Sequence, residues 1–184
     1  TAHLIERGNR RIACLAWPGR SLTGQARLAG YRAAMAEGGL PVAEPWIARG
    51  ENSHAEAYML MSRLLALPAD SRPSAVVAMS DMMALGAINA LQDAGLVAGR
   101  DVAVAGFDDV PVAPFLRPPL TSVRQPIAEV GEQLVTMLVD VCRGRPIAEA
   151  HVLLCPQLII RASSAAAYAG PADPRGPARA AAAE

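Results

Sequence analysis

Apolar positions along this chain alternate between two patterns. Short unbroken apolar stretches fall within residues 11–16 (RIACLA), 75–79 (AVVAM) and 102–105 (VAVA). Runs of this length without polar alternation mark strands covered on both faces. Between them the helical period holds. Leu28, Tyr31 and Met35 lie at i, i+3 and i+7, predicting a helix capped by Thr23 and ended by Gly38-Gly39. Residues 54–67 predict a helix closed by Pro68, with Tyr58, Met59, Leu60, Met61, Leu64 and Leu65 covering more than one face. Residues 82–94 predict a third, with Ala84, Ile88 and Leu91 on one side, Ser80 and Asp81 as caps and Gly95 as stop.

Weaker signals complete the order. Residues 1–8 read as the end of a helix stopped by Gly8, and residues 45–48 as a short strand. Residues 110–119 (VPVAPFLRPP) form a proline-rich loop before a strand at 120–123. Pro126 suits a first helical turn, and Val130, Leu134, Met137 and Val141 make an apolar stripe behind it, ended by Gly144. Residues 152–160 read as a strand interrupted by Pro156, which belongs at an edge, bend or crossing. This alternation predicts an α/β fold, an open and mostly parallel sheet flanked by helices. The predicted core spans residues 1–164, and residues 165–184, rich in Ala and Pro with little to bury, are expected to be a disordered tail.

The strand–helix–strand unit at residues 74–109 requires parallel strands and a right-handed crossover. Its consequence is geometric. Ser80-Asp81, Asp108-Asp109 and the loop after the first strand all fall at the carboxyl edge of the sheet, where open α/β sheets take ligands.

The totals narrow the function. The apolar fraction is 52%, the charged fraction 18% and the net charge +0, so this chain alone lacks the basic surface of a nucleic-acid grip. Cys14, Cys142 and Cys155 are odd in number, far apart and each in an apolar context, which predicts buried free thiols in a reducing compartment. No apolar run is long enough to span a bilayer, and no signal peptide opens the sequence. The chain starts at Thr1 in what reads as mid-helix, so residues are expected upstream.

Candidate chemistry is sparse. There is no Gly-rich dinucleotide fingerprint, phosphate loop or G-x-S-x-G elbow. His3, His54 and His151 lack metal-ligand spacing, so neither a metal nor a cofactor is expected. The converging loops offer Trp17, Ser21, Thr23, Arg27, Ser80, Asp81, Asp108 and Asp109. Arg27 would present a rigid fork of donors to vicinal hydroxyls or a carboxylate, Asp108 would accept hydroxyl hydrogen bonds, and Trp17 would supply a flat apolar wall. Each has a plainer reading. Asp81 is first a helix cap, Arg27 a solvated helix residue and Trp17 a core residue, while Asp108 and Asp109 can simply satisfy backbone N–H groups. A metal held by Asp108 and Asp109, as in an enzyme on an open α/β sheet, is disfavoured because adjacent carboxylates at a strand end diverge.

Six stretches together resemble the lactose/galactose-repressor family of bacterial transcription regulators in its effector-binding core. They are LIERGNRRIACL, ARLAGYRAAMAEGGL, SDMMALGAINALQDAGL, GRDVAVAGFDD, RPPLTSVRQPIAEVGEQLV and LIIRASS, in the family's order. The resemblance implies a two-lobed, periplasmic-binding-protein-like core, of which this chain is the second lobe plus the crossing segments. The helix after Pro126 would belong to a first lobe that is absent. It implies a cytoplasmic non-enzyme that holds a small effector, expected to be a sugar, between its lobes, with contacts from Arg27, Asp108 and Ser80. Thr23 and Asn52 match variable pocket positions. It also implies a homodimer using positions that here include Leu85, Ile88, Phe115 and Leu116, and operator DNA bound only by a helix-turn-helix domain outside this chain. The rival expectation is a periplasmic sugar-binding protein feeding a transporter.

Overall fold

The computed structural model describes residues 1–146 and 149–167. Among them a six-stranded sheet runs in the order β2-β1-β3-β4-β5-β6. Its strands are β1 (Ile12–Ala16), β2 (Ile47–Arg49), β3 (Ala75–Ala78), β4 (Ala103–Asp108), β5 (Thr121–Arg124) and β6 (Gln157–Ile159). The first five are mutually parallel, and β6 runs antiparallel against β5, pairing Val123 with Leu158. The helices are α1 (Ala2–Glu6), α2 (Leu22–Glu37), α3 (His54–Leu65), α4 (Asp81–Asp93), α5 (Ile127–Cys142) and α6 (Ala162–Ala165). The predicted α/β class, parallel crossover and carboxyl-edge convergence all hold.

Local chemistry sets the element ends. Ser21, Ser53 and Ser80 each accept a backbone N–H from three residues ahead, so each of α2, α3 and α4 starts on a serine cap. Thr23, predicted as the cap of α2, lies instead one residue inside it; Ser21 is already placed to bond Gly24 N. Gly95 takes φ +73° where α4 stops. Residues 45–48 divide into a tight turn at Glu44–Trp46 and then β2. The fixed φ of Pro45 favours the turn, and Trp46 Nε1 donates to Ser71 O across 2.9 Å. Of residues 152–160 only β6 pairs, and it begins directly after Pro156, which has no N–H to give a ladder.

The core fills both sides of the sheet. Every residue of β1 is buried, and Leu4, Tyr31, Met35, Met61, Met83, Ile88, Leu91 and Leu120 close over the strands. Tyr31 hangs its hydroxyl on Ile12 O at 2.7 Å. Helices α3 and α4 pack tightly, because Gly86 lets the His54 carbonyl sit where a Cβ would be. Ile88, expected at a dimer contact, is instead a core residue at 2% exposure, since α4 is covered on more than one side. Helix α5 stands apart: none of its residues is buried, and Leu134 and Leu138 are each 62% exposed. Of the three cysteines expected to be buried only Cys14 in β1 is; Cys142, on uncovered α5, and Cys155 are exposed. The tail expected at residues 165–184 lies outside the described residues beyond position 167, while Ala165 closes α6.

Candidate functional site

The carboxyl edge is built around Arg27. The helix α2 carries it from Ser21 into the space between the ends of β1, β3 and β4. Its guanidinium carbon lies over the Phe107 ring, 3.6 Å from its centroid, and over the Trp17 ring at 4.8 Å, a cation packed against two aromatic rings. One nitrogen donates to Met79 O. The other stands 3.9 Å from Asp108 Oδ1, a loose ion pair. Burial draws the Arg27 pKa down, and Asp108 partly restores it. A hollow of about 400 Å³ that touches this residue lies over the sheet, between Val77, Ala105, Phe107, Val123 and Leu158 on one side and residues 1–4 and α2 on the other.

Asp108 ends β4 with φ 118° and Asp109 follows with φ 50°, both in the left-handed half of backbone space that non-glycine residues rarely adopt. Asp108 is half-buried, and Gln125 Nε2 donates to its Oδ1 at 2.8 Å. Burial pushes its carboxyl above the ordinary range, opposed by Arg27 and Gln125. Asp109 turns the other way. Its side chain is only 3% exposed, 2.6 Å from Arg124 Nη2 and 2.7 Å from Arg161 Nη1. Burial pushes this carboxyl up, but the two guanidiniums outweigh that and hold it below the ordinary range.

Ser80 and Asp81 do not share the role foreseen for them. Ser80 is the cap, 1% exposed, and its hydroxyl also donates to Asn52 Oδ1 at 2.5 Å. Asp81 is not a cap. As the first helical residue, 2% exposed, it reaches across the end of β4 to accept from Ser122 Oγ at 2.6 Å and Val110 N at 2.8 Å. Gly106 makes that reach possible, since a Cβ there would collide with Asp81 Oδ1. Burial drives the Asp81 carboxyl up, with the Ser122 and Val110 hydrogen bonds opposing and Asp108 and Asp109 adding to it.

Among the sequence candidates, the structure brings together Arg27, Trp17 and Asp108, with Ser80 and Asn52 joined beside them. Trp17 is half-buried, and its indole N–H has no hydrogen-bond partner among the described residues. Thr23 is exposed on the first turn of α2. Leu85 is half-buried, Phe115 is 75% exposed and Leu116 packs partly on the core. Sequence reasoning missed Phe107, Gln125, Ser122, Arg124 and Arg161 as parts of this edge. Their places in GFDD, TSVRQ and LIIRASS were the available signal. Among the described residues no group of three or more His, Cys, Asp or Glu could hold a metal, and no helix is long and apolar enough to cross a membrane.

The family model for the periplasmic binding protein-like domain matches residues 1–164. The HTH-type transcriptional repressor PurR of Vibrio parahaemolyticus is 35% identical over 161 residues, covering 88% of this chain and 48% of that protein. The chain thus spans about half the length of the curated relatives it matches. A regulatory protein of LacI family from Chloroflexus aggregans superposes with a TM-score of 0.86 at 46% identity, over 89% of this chain and 58% of that one. The transcriptional regulator CelR in complex with cellobiose superposes at 0.80 and 36% identity, over 89% of this chain and 49% of that one. The chain therefore belongs to the periplasmic binding protein-like domain family and, within it, to the effector-binding core of the lactose/galactose-repressor regulators.

Proposed function

We propose that this chain is the effector-sensing lobe of a cytoplasmic repressor and that its effector is a sugar or close derivative. The observation that carries the reading is the Arg27–Asp108 pair, 3.9 Å apart and open between donor and acceptor. Trp17 and Phe107 pack against the guanidinium, Nη1 is held by Met79 O, and Nη2 is the nitrogen that stands towards Asp108. Vicinal hydroxyls match that nitrogen and an adjacent carboxylate together: one oxygen accepts from Arg27 while its neighbour donates to Asp108. An anionic group would meet the Asp108 carboxylate, which favours a neutral ligand. The cellobiose found in the CelR complex is a compound of this kind.

In this mechanism no bond is made or broken. The effector sits between this lobe and a first lobe outside the chain, to which α5 belongs, and draws them together. The exposed stripe on α5 is the surface that first lobe covers. Closure shifts a homodimer, with Phe115, Leu116 and Leu85 near its contact, between states of different operator affinity, read by a helix-turn-helix domain also outside the chain. Coupling of this sort is typically about 1–3 kcal/mol and reciprocal between effector and DNA.

The test is a calorimetric titration of the full-length regulator with D-ribose, cellobiose, adenosine and inorganic phosphate. Binding of a sugar that disappears in Asp108→Ala supports the reading. Arg27→Ala should weaken the same binding by about 2 kcal/mol or more, because a hydrogen-bonded charge is removed. A titration unchanged by both substitutions moves the site elsewhere.

A further inference from the structure

We propose that Asp109 is the positioning residue of this site: it pins the two crossing strands and so holds Asp108 in the backbone geometry that sets its carboxylate beside Arg27. The inference rests on the reading that Asp108 meets the effector, and adds a residue that touches no ligand.

Two left-handed residues in a row need something to hold them. Asp108 and Asp109 take φ 118° and 50°, conformations that persist where the surroundings over-determine them. Backbone bonds fix one side of the turn: Asp109 N donates to Ser122 Oγ at 2.9 Å, and Val110 N donates to Asp81 Oδ2. The other side is fixed by charge. Arg124 Nε donates to Asp109 Oδ2 at 2.7 Å, and Arg161 Nη1 lies 2.7 Å from Oδ1, an ion pair by distance whose angle falls outside a hydrogen bond.

The two arginines come from opposite directions. Arg124 is the last residue of β5, where the chain leaves the sheet for α5. Arg161 follows β6, where it returns, and also donates to Leu120 O at 2.6 Å. A single buried carboxylate therefore joins the outgoing and returning crossing strands at their base. The next residue past Arg124 is Gln125, whose amide donates to Asp108. The alternate carboxylates of one turn thus face opposite ways, Asp108 to the site and Asp109 to the crossing, and Gln125 closes the circuit between them. A shift of either crossing strand would be felt at Asp108, and a ligand on Asp108 would be felt at the crossing.

Asp109→Asn isolates the charge. Asn tolerates left-handed backbone as Asp does and keeps the N–H bond to Ser122, so only the ion pairs are lost. The reporter is the Gln125 side-chain amide, observed by ¹H–¹⁵N NMR in this 184-residue chain. It reads where the Asp108 carboxylate stands without any ligand. In the folded Asp109→Asn protein its signals should move to the position of a free amide, and Arg161→Gln should do the same while Arg161→Lys keeps them near the wild-type position. In parallel, affinity of the full-length regulator for whichever of D-ribose, cellobiose or adenosine it binds should fall about tenfold or more in Asp109→Asn. If Asp109→Asn or Arg161→Gln lowers the thermal midpoint while the Gln125 signals stay put, Asp109 is only a structural pin and the proposal is overturned. Should Asp109→Asn not fold, the Arg161 pair decides by the same signals. If no compound binds the wild-type regulator, the effector reading fails, and the amide signals still decide the positioning role.

Discussion

Replacing Gly106 with alanine adds one methyl group to the middle of β4, and the structure says why that is expensive. The new Cβ would collide with Asp81 Oδ1, and it would stand 3.2 Å from both Ala84 Cβ and Leu120 Cδ2. The last two contacts are tight but can relax by a few tenths of an ångström. The carboxylate cannot, because it is 2% exposed and tied to Ser122 Oγ and Val110 N. Overpacking a well-filled core costs about 1–3 kcal/mol. Breaking the Ser122 bond to a buried carboxylate adds about 1–3 kcal/mol. The expected loss is about 4 kcal/mol, which for a chain of this length lowers the thermal midpoint by roughly 8–16 °C. Urea unfolding followed by circular dichroism gives the number directly, provided the slope is unchanged. The decisive comparison is Gly106→Ala in an Asp81→Ala background. With the carboxylate gone, the added methyl has room, and its cost should drop to about 1 kcal/mol. A Gly106→Ala cost that is small, or the same with and without Asp81, would refute the reasoning.

Three further outcomes follow from other parts of the molecule. Tyr31→Phe removes the buried hydroxyl bonded to Ile12 O and should cost about 1–1.5 kcal/mol in urea unfolding; no change would mean water replaces it. The Asp109 carboxyl is held below its ordinary value near 3.8 in the folded protein, so the unfolded chain takes up the proton first. Its contribution to stability is complete above that value and is lost as pH falls through the folded value, and Asp109→Asn should flatten the acid limb of stability against pH below about pH 4. An acid limb of unchanged steepness in Asp109→Asn would show that the arginine pairs carry no such contribution. Leu134→Lys with Leu138→Lys, on the exposed side of α5, should alter the unfolding free energy of this chain by less than about 0.5 kcal/mol each in urea unfolding, and a larger drop would show α5 packed on the lobe.

The sheet was legible because its strands are written in uninterrupted apolar runs. Residues 75–78 and 103–105 could be read as parallel neighbours before any contact was seen, and the placement of Asp108 at the carboxyl edge followed from topology alone. Serine caps were only half legible. Ser80 caps α4 as its place before the apolar period predicts, whereas Ser21 and Thr23 both fit the cap chemistry of α2 and only the backbone turn chooses Ser21. Asp81 shows where local reading ends. Its type and place fit a cap, yet its partner Ser122 is 41 residues away on β5, reached through a gap that exists only because Gly106 has no side chain. Ile88 failed for a related reason: a helical period shows that a face is apolar, and the packing of α3 and the sheet decides whether that face meets the core or a partner. Arg124 and Arg161 looked like ordinary strand-end cations, since nothing local announces that both converge on one carboxylate.

The packing of Arg27 against Trp17 also places an intrinsic fluorophore at the proposed site. The sequence holds only two tryptophans. Trp46, 8% exposed with its indole N–H fixed to Ser71 O, should emit as a steady, blue-shifted background. Trp17 stands 4.8 Å from the Arg27 guanidinium, so an effector that engages Arg27 as proposed should change its emission. A Trp46→Phe chain would reduce the emission to this single indole, and occupancy could then be followed in a stopped-flow cuvette without attaching a dye.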